Sequence, residues 1–212
     1  MLDLRPPLRR SPLDHRAPIE GEGGSPRLAE LPFIGKFILR ADPQEAVERI
    51  RAALGLGLPF DPLTSSTLME TAFLWMGPDE WLMCAAPEKA ADRARTTRDA
   101  LSDIRYQLVE VSDYYTAIEV SGREARPLLM KLTTLDLHPR AFSLGMVAGS
   151  VFGRANALLW QTRSDADEAG PAFRLFIRWS MADYLWCLAA DAGREWGMPE
   201  QVPAKDEKLT IG

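Results

Sequence analysis

The sequence predicts an α+β fold with mixed or antiparallel sheets and ferredoxin-like split β-α-β elements. Three observations lead there. Strand-like and helix-like runs alternate along the chain, yet several strand pairs are joined by turns too short for a crossover. The run Ala172-Phe-Arg-Leu-Phe-Ile-Arg-Trp179 alternates with the period of a strand. Asp42-Pro-Gln-Glu45 opens a helix with an N-cap, a first-turn proline and a carboxylate at N3.

The elements follow in order. Residues 1–30 carry Arg5, Arg9, Arg10 and Arg16, several prolines and Gly21-Glu-Gly-Gly-Ser-Pro26, without periodicity. An extended or disordered arm is expected there, able to lie across a partner. Deleting it should weaken assembly and leave the fold intact. Residues 31–40 read as a strand. After Asp42, Ala46, Val47, Ile50, Ala53 and Leu54 recur at helical spacing, and Gly55 stops the helix. Residues 71–76 and 81–85 form a hairpin over Gly77-Pro-Asp-Glu80. Ala90, Ala91, Ala94, Leu101 and Ile104 mark an amphipathic helix that begins near Pro87.

Residues 108–111 and 116–120 are strand segments interrupted around Ser112-Asp-Tyr-Tyr115. Ser121 and Glu124 match a capping box, followed by a stripe of Ala125, Leu128, Leu129 and Leu132. Pro127 conflicts with that start, so the helix begins later or is kinked. His138-Pro139 ends the region. Strands near 146–152 and 157–162 precede the acidic loop 164–171. In the alternating run, Phe173, Leu175, Ile177 and Trp179 share one face; Arg174, Phe176 and Arg178 share the other. Ser180 is placed as the cap of a last helix ended by Gly197, and a split β-α-β unit fits this second half. Residues 31–197 are expected to be one globular unit, or two lobes of about 31–105 and 106–197. A flexible tail covers 198–212.

Composition narrows the function. The chain has 212 residues, 46% hydrophobic and 26% charged, with a net charge of -5. Broad nucleic-acid binding needs a basic face and is not expected. Cys84 and Cys187 stand apart from each other and from any Cys/His cluster, so structural zinc and disulfides are poorly supported. Met1-Leu-Asp-Leu-Arg-Pro-Pro lacks the apolar core of a secretion signal, and no run of 18 apolar residues exists. No membrane partner and a cytoplasmic location are the expectation.

No motif for chemistry survives scrutiny. The nearest string to a dinucleotide fingerprint, Gly55-Leu-Gly-Leu-Pro-Phe60, lacks the third glycine and runs into proline. There is no Walker loop. His15 falls in the arm, and His138 reads as a turn residue, because a general base needs a positioned partner. Ser121 lacks the Gly-x-Ser-x-Gly frame of a nucleophile elbow. Asp113 reads as a structural residue, in a turn or a sheet hydrogen bond, in preference to one that positions a ligand. The strip Arg174, Phe176, Arg178 suits stacking on a nucleotide or pterin, contact with an acidic partner subunit, or cover by a helix; the partner contact is favoured, since Arg and aromatic residues are enriched at interfaces. Of six tryptophans, most should anchor the core and one or two an interface.

Several segments in this order resemble the gamma subunit of heterotetrameric sarcosine oxidase: Trp75-Met-Gly-Pro-Asp-Glu-Trp-Leu-Met83, Val111-Ser-Asp113, Val120-Ser-Gly122, Leu135-Asp-Leu-His-Pro-Arg-Ala-Phe142, Gly153-Arg-Ala-Asn156 and Trp179-Ser-Met-Ala-Asp-Tyr-Leu-Trp186. More distantly the chain looks like the aminomethyltransferase (glycine cleavage T-protein) folate-binding fold. The resemblance implies alpha, beta and delta partners in a complex that oxidatively demethylates sarcosine to glycine. Hydrogen peroxide is released, and the one-carbon unit leaves as formaldehyde or methylene-tetrahydrofolate. It implies FAD, FMN, NAD, tetrahydrofolate and zinc on the other subunits. In this chain it implies no catalytic, cofactor-binding or metal residue. The alternatives are a stand-alone folate-binding protein or aminomethyltransferase, or a subunit of a complex acting on another N-methyl amine.

Overall fold

In the computed structural model, which describes residues 9–204, the alternating strands sort into two antiparallel sheets. Strands and α-helices are numbered in chain order. The first sheet runs β4 (Ser65–Leu68), β5 (Thr71–Gly77), β6 (Glu80–Ala85), β3 (Gly35–Ala41), β7 (Tyr106–Glu110). The second runs β1 (Ile19–Glu20), β2 (Arg27–Glu30), β8 (Tyr115–Ser121), β11 (Ala172–Arg178), β10 (Ala155–Arg163), β9 (Val147–Phe152). Helices α1 (Pro43–Leu54) and α2 (Pro87–Ala100) cover the outer face of the first sheet. Helices α3 (Ala125–Met130) and α4 (Ala182–Ala192) cover the outer face of the second. The inner faces pack on each other, so the layers run helix, sheet, sheet, helix.

Period-two alternation builds these layers. On β6, Trp81 and Met83 face α1 and α2, while Leu82 and Cys84 face the other sheet. On β11, Phe173, Leu175 and Ile177 face α3 and α4, while Phe176 faces the first sheet.

The first sheet has ferredoxin-like order. β3 and β5 run parallel with β6 between them, linked by α1; β6 and β7 run parallel with β3 between them, linked by α2. The second half repeats this split β-α-β order. β8 and β10 run parallel with β11 between them, linked by α3 and the edge strand β9, as α1 and the edge strand β4 link β3 and β5. The outer place beside β8 is taken by β2, from the N-terminal segment.

That pairing corrects the arm. Residues 9–30 are extended but built into the fold: β2 pairs with β8, and Leu13 and Leu28 lie in the core beneath α3 and α4. Four strand residues between glycines and prolines give no local periodicity, and their partner lies about ninety residues away. Arg5 and the Pro6-Pro7 pair lie outside the described residues, as does the tail beyond residue 204.

Other local readings change for similar reasons. Residues 31–34 are not strand; here the chain crosses from the second sheet to the first, and Leu31 N–H donates to the Ala117 carbonyl at 2.8 Å. The interruption falls at 111–114, the return crossing, and Tyr115 already begins β8. Ser121 ends β8 rather than capping α3, whose N-cap is Glu124, so Pro127 sits at N3, where no intrahelical N–H bond is lost. Ser180 lies in a 3-10 turn before α4 and caps nothing. The α1 reading holds: Asp42 accepts from Gln44 N–H at 2.8 Å, and Gly55 ends the helix in the left-handed region.

Candidate functional site

The inner faces hold the most unusual polar residues. Lys36 on β3 is 1% exposed and points between the sheets, in register with Cys84. Its Nζ donates to the Ile34 carbonyl at 2.7 Å, and burial pulls its ammonium below the ordinary lysine value. Burial likewise pushes the Cys84 thiol up to about 12, so it is neutral and inert as a nucleophile. The cavity beside Lys36 has about 10 Å³, room for one water and no substrate.

Arg174 stands between Trp160 and Glu119 on the same face of the second sheet, as their paired positions require. Its guanidinium lies 5.4 Å from the Trp160 ring centre and 3.6 Å from the Glu119 carboxylate. Phe176 is 1% exposed against the first sheet. Arg178 lies 5.2 Å from the Tyr114 ring centre. Of the expected partner-facing strip, Phe176 is thus covered by this chain's own first sheet, while Arg174 is partly exposed and Arg178 exposed at either side of it; the sequence shows which residues share a face but not what covers it.

Two further arginines act as structural clamps. Arg126 on α3 is 5% exposed. It bonds both Asp165 oxygens at 2.6 and 2.5 Å, Gln161 Oε1 at 3.0 Å, and the carbonyls of Phe142 and Leu137. Arg16, from the N-terminal segment, bonds Asp183 on α4 at 2.8 and 2.6 Å and the Val202 carbonyl at 2.8 Å. Desolvation alone would raise the Asp183 carboxyl, but hydrogen bonds from Ala204 N–H, Arg16 and His15 outweigh it and hold it low. Sequence reasoning singled out neither Lys36 nor Arg126. Each had a signal: Lys36 lies in phase with Ile34 and Ile38, and Arg126 sits one turn before Leu129 on the helix stripe.

The residues weighed for chemistry scatter. His15 Nε2 lies 3.1 Å from Asp183. His138 Nδ1 accepts from Arg140 N–H at 3.2 Å, while its own N–H donates to Asp136 at 2.9 Å, as a turn residue would. Asp113 is exposed and paired with Arg9 at 3.0 Å. Trp81, Trp160 and Trp186 are buried; Trp179 is 40% exposed. Among the described residues, no group of three His, Cys, Asp or Glu side chains could hold a metal ion, and no helix is long and apolar enough to cross a membrane.

The architecture defines a class: an α+β protein of the aminomethyltransferase-like fold. An aminomethyltransferase T from the glycine cleavage system of Bartonella henselae superposes with TM-score 0.58 at 10% identity, over 79% of this chain and 46% of that one. At that identity the likeness concerns fold alone. Closer matches give the family. The model of the family described as "Sarcosine oxidase, gamma subunit family" matches residues 39–195, and the chain belongs to that family. A sarcosine oxidase subunit gamma from Corynebacterium sp. (strain P-1) is 34% identical over 160 residues, 73% of this chain and 78% of the relative. A chain of the heterotetrameric sarcosine oxidase from Corynebacterium sp. U-96, solved with pyrrole 2-carboxylate, superposes with TM-score 0.78 at 29% identity. The match covers 92% of this chain and all of that one.

Proposed function

We propose that this chain is the gamma subunit of a heterotetrameric sarcosine oxidase-type complex, assembled with alpha, beta and delta subunits in the cytoplasm. The complex oxidatively demethylates sarcosine to glycine, giving hydrogen peroxide and formaldehyde or methylene-tetrahydrofolate. FAD, FMN, NAD, tetrahydrofolate and zinc belong to the other subunits, and this chain supplies structure rather than catalytic residues. One observation carries the reading: the chain spans the whole of one subunit of a solved heterotetrameric sarcosine oxidase. The buried polar groups support the structural role. Arg126, Asp165, Gln161, Arg16 and Asp183 are hydrogen-bonded to one another or to backbone, and Lys36 faces a space too small for a substrate.

Co-expression with the larger subunits tests this. The chain alone should be colourless and inactive, and should co-purify with a yellow, sarcosine-oxidising assembly. Failure to associate with any flavoprotein refutes the proposal. Tight folate binding by the isolated chain would favour a stand-alone folate protein. A complex that prefers another N-methyl amine would keep the subunit role and change the substrate.

A further inference from the structure

The two sheets do not close on each other along their whole length. At one end the inner faces part around Arg174 and leave a cavity of about 420 Å³, within the range that takes small ligands. Its walls include Leu31, Ile34, Ala72 and the ring of Trp160, with Met69 at the tip of the β4–β5 hairpin. Met69 is 91% exposed.

Arg174, with a side chain 32% exposed, differs from the more enclosed Arg126 and Arg16. The forks of Arg126 and Arg16 are taken up by carboxylates and carbonyls. Among the described residues, the Arg174 guanidinium makes no hydrogen bond; its Nε is shielded from solvent and unpartnered. Glu119, at 3.6 Å, is beyond hydrogen-bond length. An arginine presents five donors in a planar fork that matches a carboxylate; here Nε is shielded and the partly exposed side chain opens into the cavity with no acceptor on the fork.

We propose that this cavity is a binding site for a small monocarboxylate carried on an apolar body. The fork takes the carboxylate in bidentate fashion. The aliphatic walls and the Trp160 face take the body. Glu119 beside the fork and Glu70 on the wall select against a dianion such as phosphate, since like charges in a shielded cleft repel strongly. The carboxylate source is a free small molecule, because the site is a concavity with one cation rather than a flat apolar face. The site is independent of the subunit role and is read on the isolated full chain.

The test uses 4-fluorobenzoate as probe, followed by fluorine NMR during titration of the full-length chain. Saturable binding is expected, with the neutral 4-fluorobenzamide at least tenfold weaker. Arg174→Gln should weaken the benzoate at least tenfold and abolish the preference over the amide. Arg140→Gln, on an exposed turn away from the facing sheets, should change nothing. Met69→Glu alters an exposed rim position that does not enter the core, and should weaken the benzoate severalfold by charge. Equal binding of acid and amide, no saturable binding, or unchanged affinity in both Arg174→Gln and Met69→Glu would overturn the proposal. The assembled complex distinguishes the source. Binding that depends on Arg174 should persist there; its loss on assembly would mean that a partner's side-chain carboxylate fills the cavity, and would refute a free ligand.

Discussion

Replacing Arg126 with methionine isolates an ionic contact whose guanidinium is almost wholly enclosed. Methionine keeps the apolar stem and removes the fork. Asp165 then loses its partner, the Leu137 and Phe142 carbonyls lose a donor, and fully buried Gln161 loses one bond. Breaking one side of a buried ion pair costs about 3–5 kcal/mol. The Asp165 side chain is 34% exposed, so water recovers part of the loss, and the expected destabilisation is ~3 kcal/mol. For a chain of this size that lowers Tm by ~6–12 °C. Urea unfolding of both proteins measures it directly. A loss below ~1 kcal/mol would refute the reasoning, because the network would then be worth no more than a surface pair.

The pH dependence supplies a second readout. The hydrogen bond from Arg126 is the main cause holding the Asp165 carboxyl below its ordinary 3.8. A folded-state value below the unfolded one adds stability that is fully present above the unfolded value and is lost as pH falls through the folded one. The gap between wild type and Arg126→Met should therefore narrow from about pH 6 to about pH 3. A gap that stays constant would show that the carboxylate contributes nothing.

Three further outcomes are expected. Deleting residues 1–30 should leave an insoluble chain or one without a cooperative transition, because it strips β2 from β8 and Leu13 and Leu28 from the core; a soluble, cooperatively unfolding product would contradict the structure. Asp183→Ala should speed tryptic cleavage of the N-terminal segment several-fold, since Arg16 and His15 both lose their carboxylate; an unchanged digestion time course would count against this clamp. Gly170→Ala should destabilise by at least ~2 kcal/mol, because φ is +74° and a Cβ there would lie 2.6 Å from Arg123 N; thermal denaturation decides it.

Much of the local structure was legible in the residues. The Asp42–Gly55 helix signals, the Gly77–Glu80 hairpin and the alternation of Phe173, Leu175 and Ile177 rest on contacts within a few positions, so propensity, capping and period suffice. The succession of segments from Trp75 to Trp186 also identified the family. Even Pro127 was informative, since it conflicted with the helix start that Ser121 and Glu124 suggested and left a later start or a kink; the structure has the later start.

Pairing over long distances was not legible. Arg27–Glu30 becomes a strand only because β8 offers it a free edge, and nothing in four residues announces a partner so far along the chain. Alternation showed that Arg174, Phe176 and Arg178 share a face. Only the stacking of one sheet on the other decides that Phe176 is buried and that Arg174 borders a cavity, without a hydrogen bond among the described residues. The sequence determines the faces of its elements because side-chain direction is set residue by residue. Tertiary structure decides what each face meets, because burial and polar satisfaction are properties of two surfaces together.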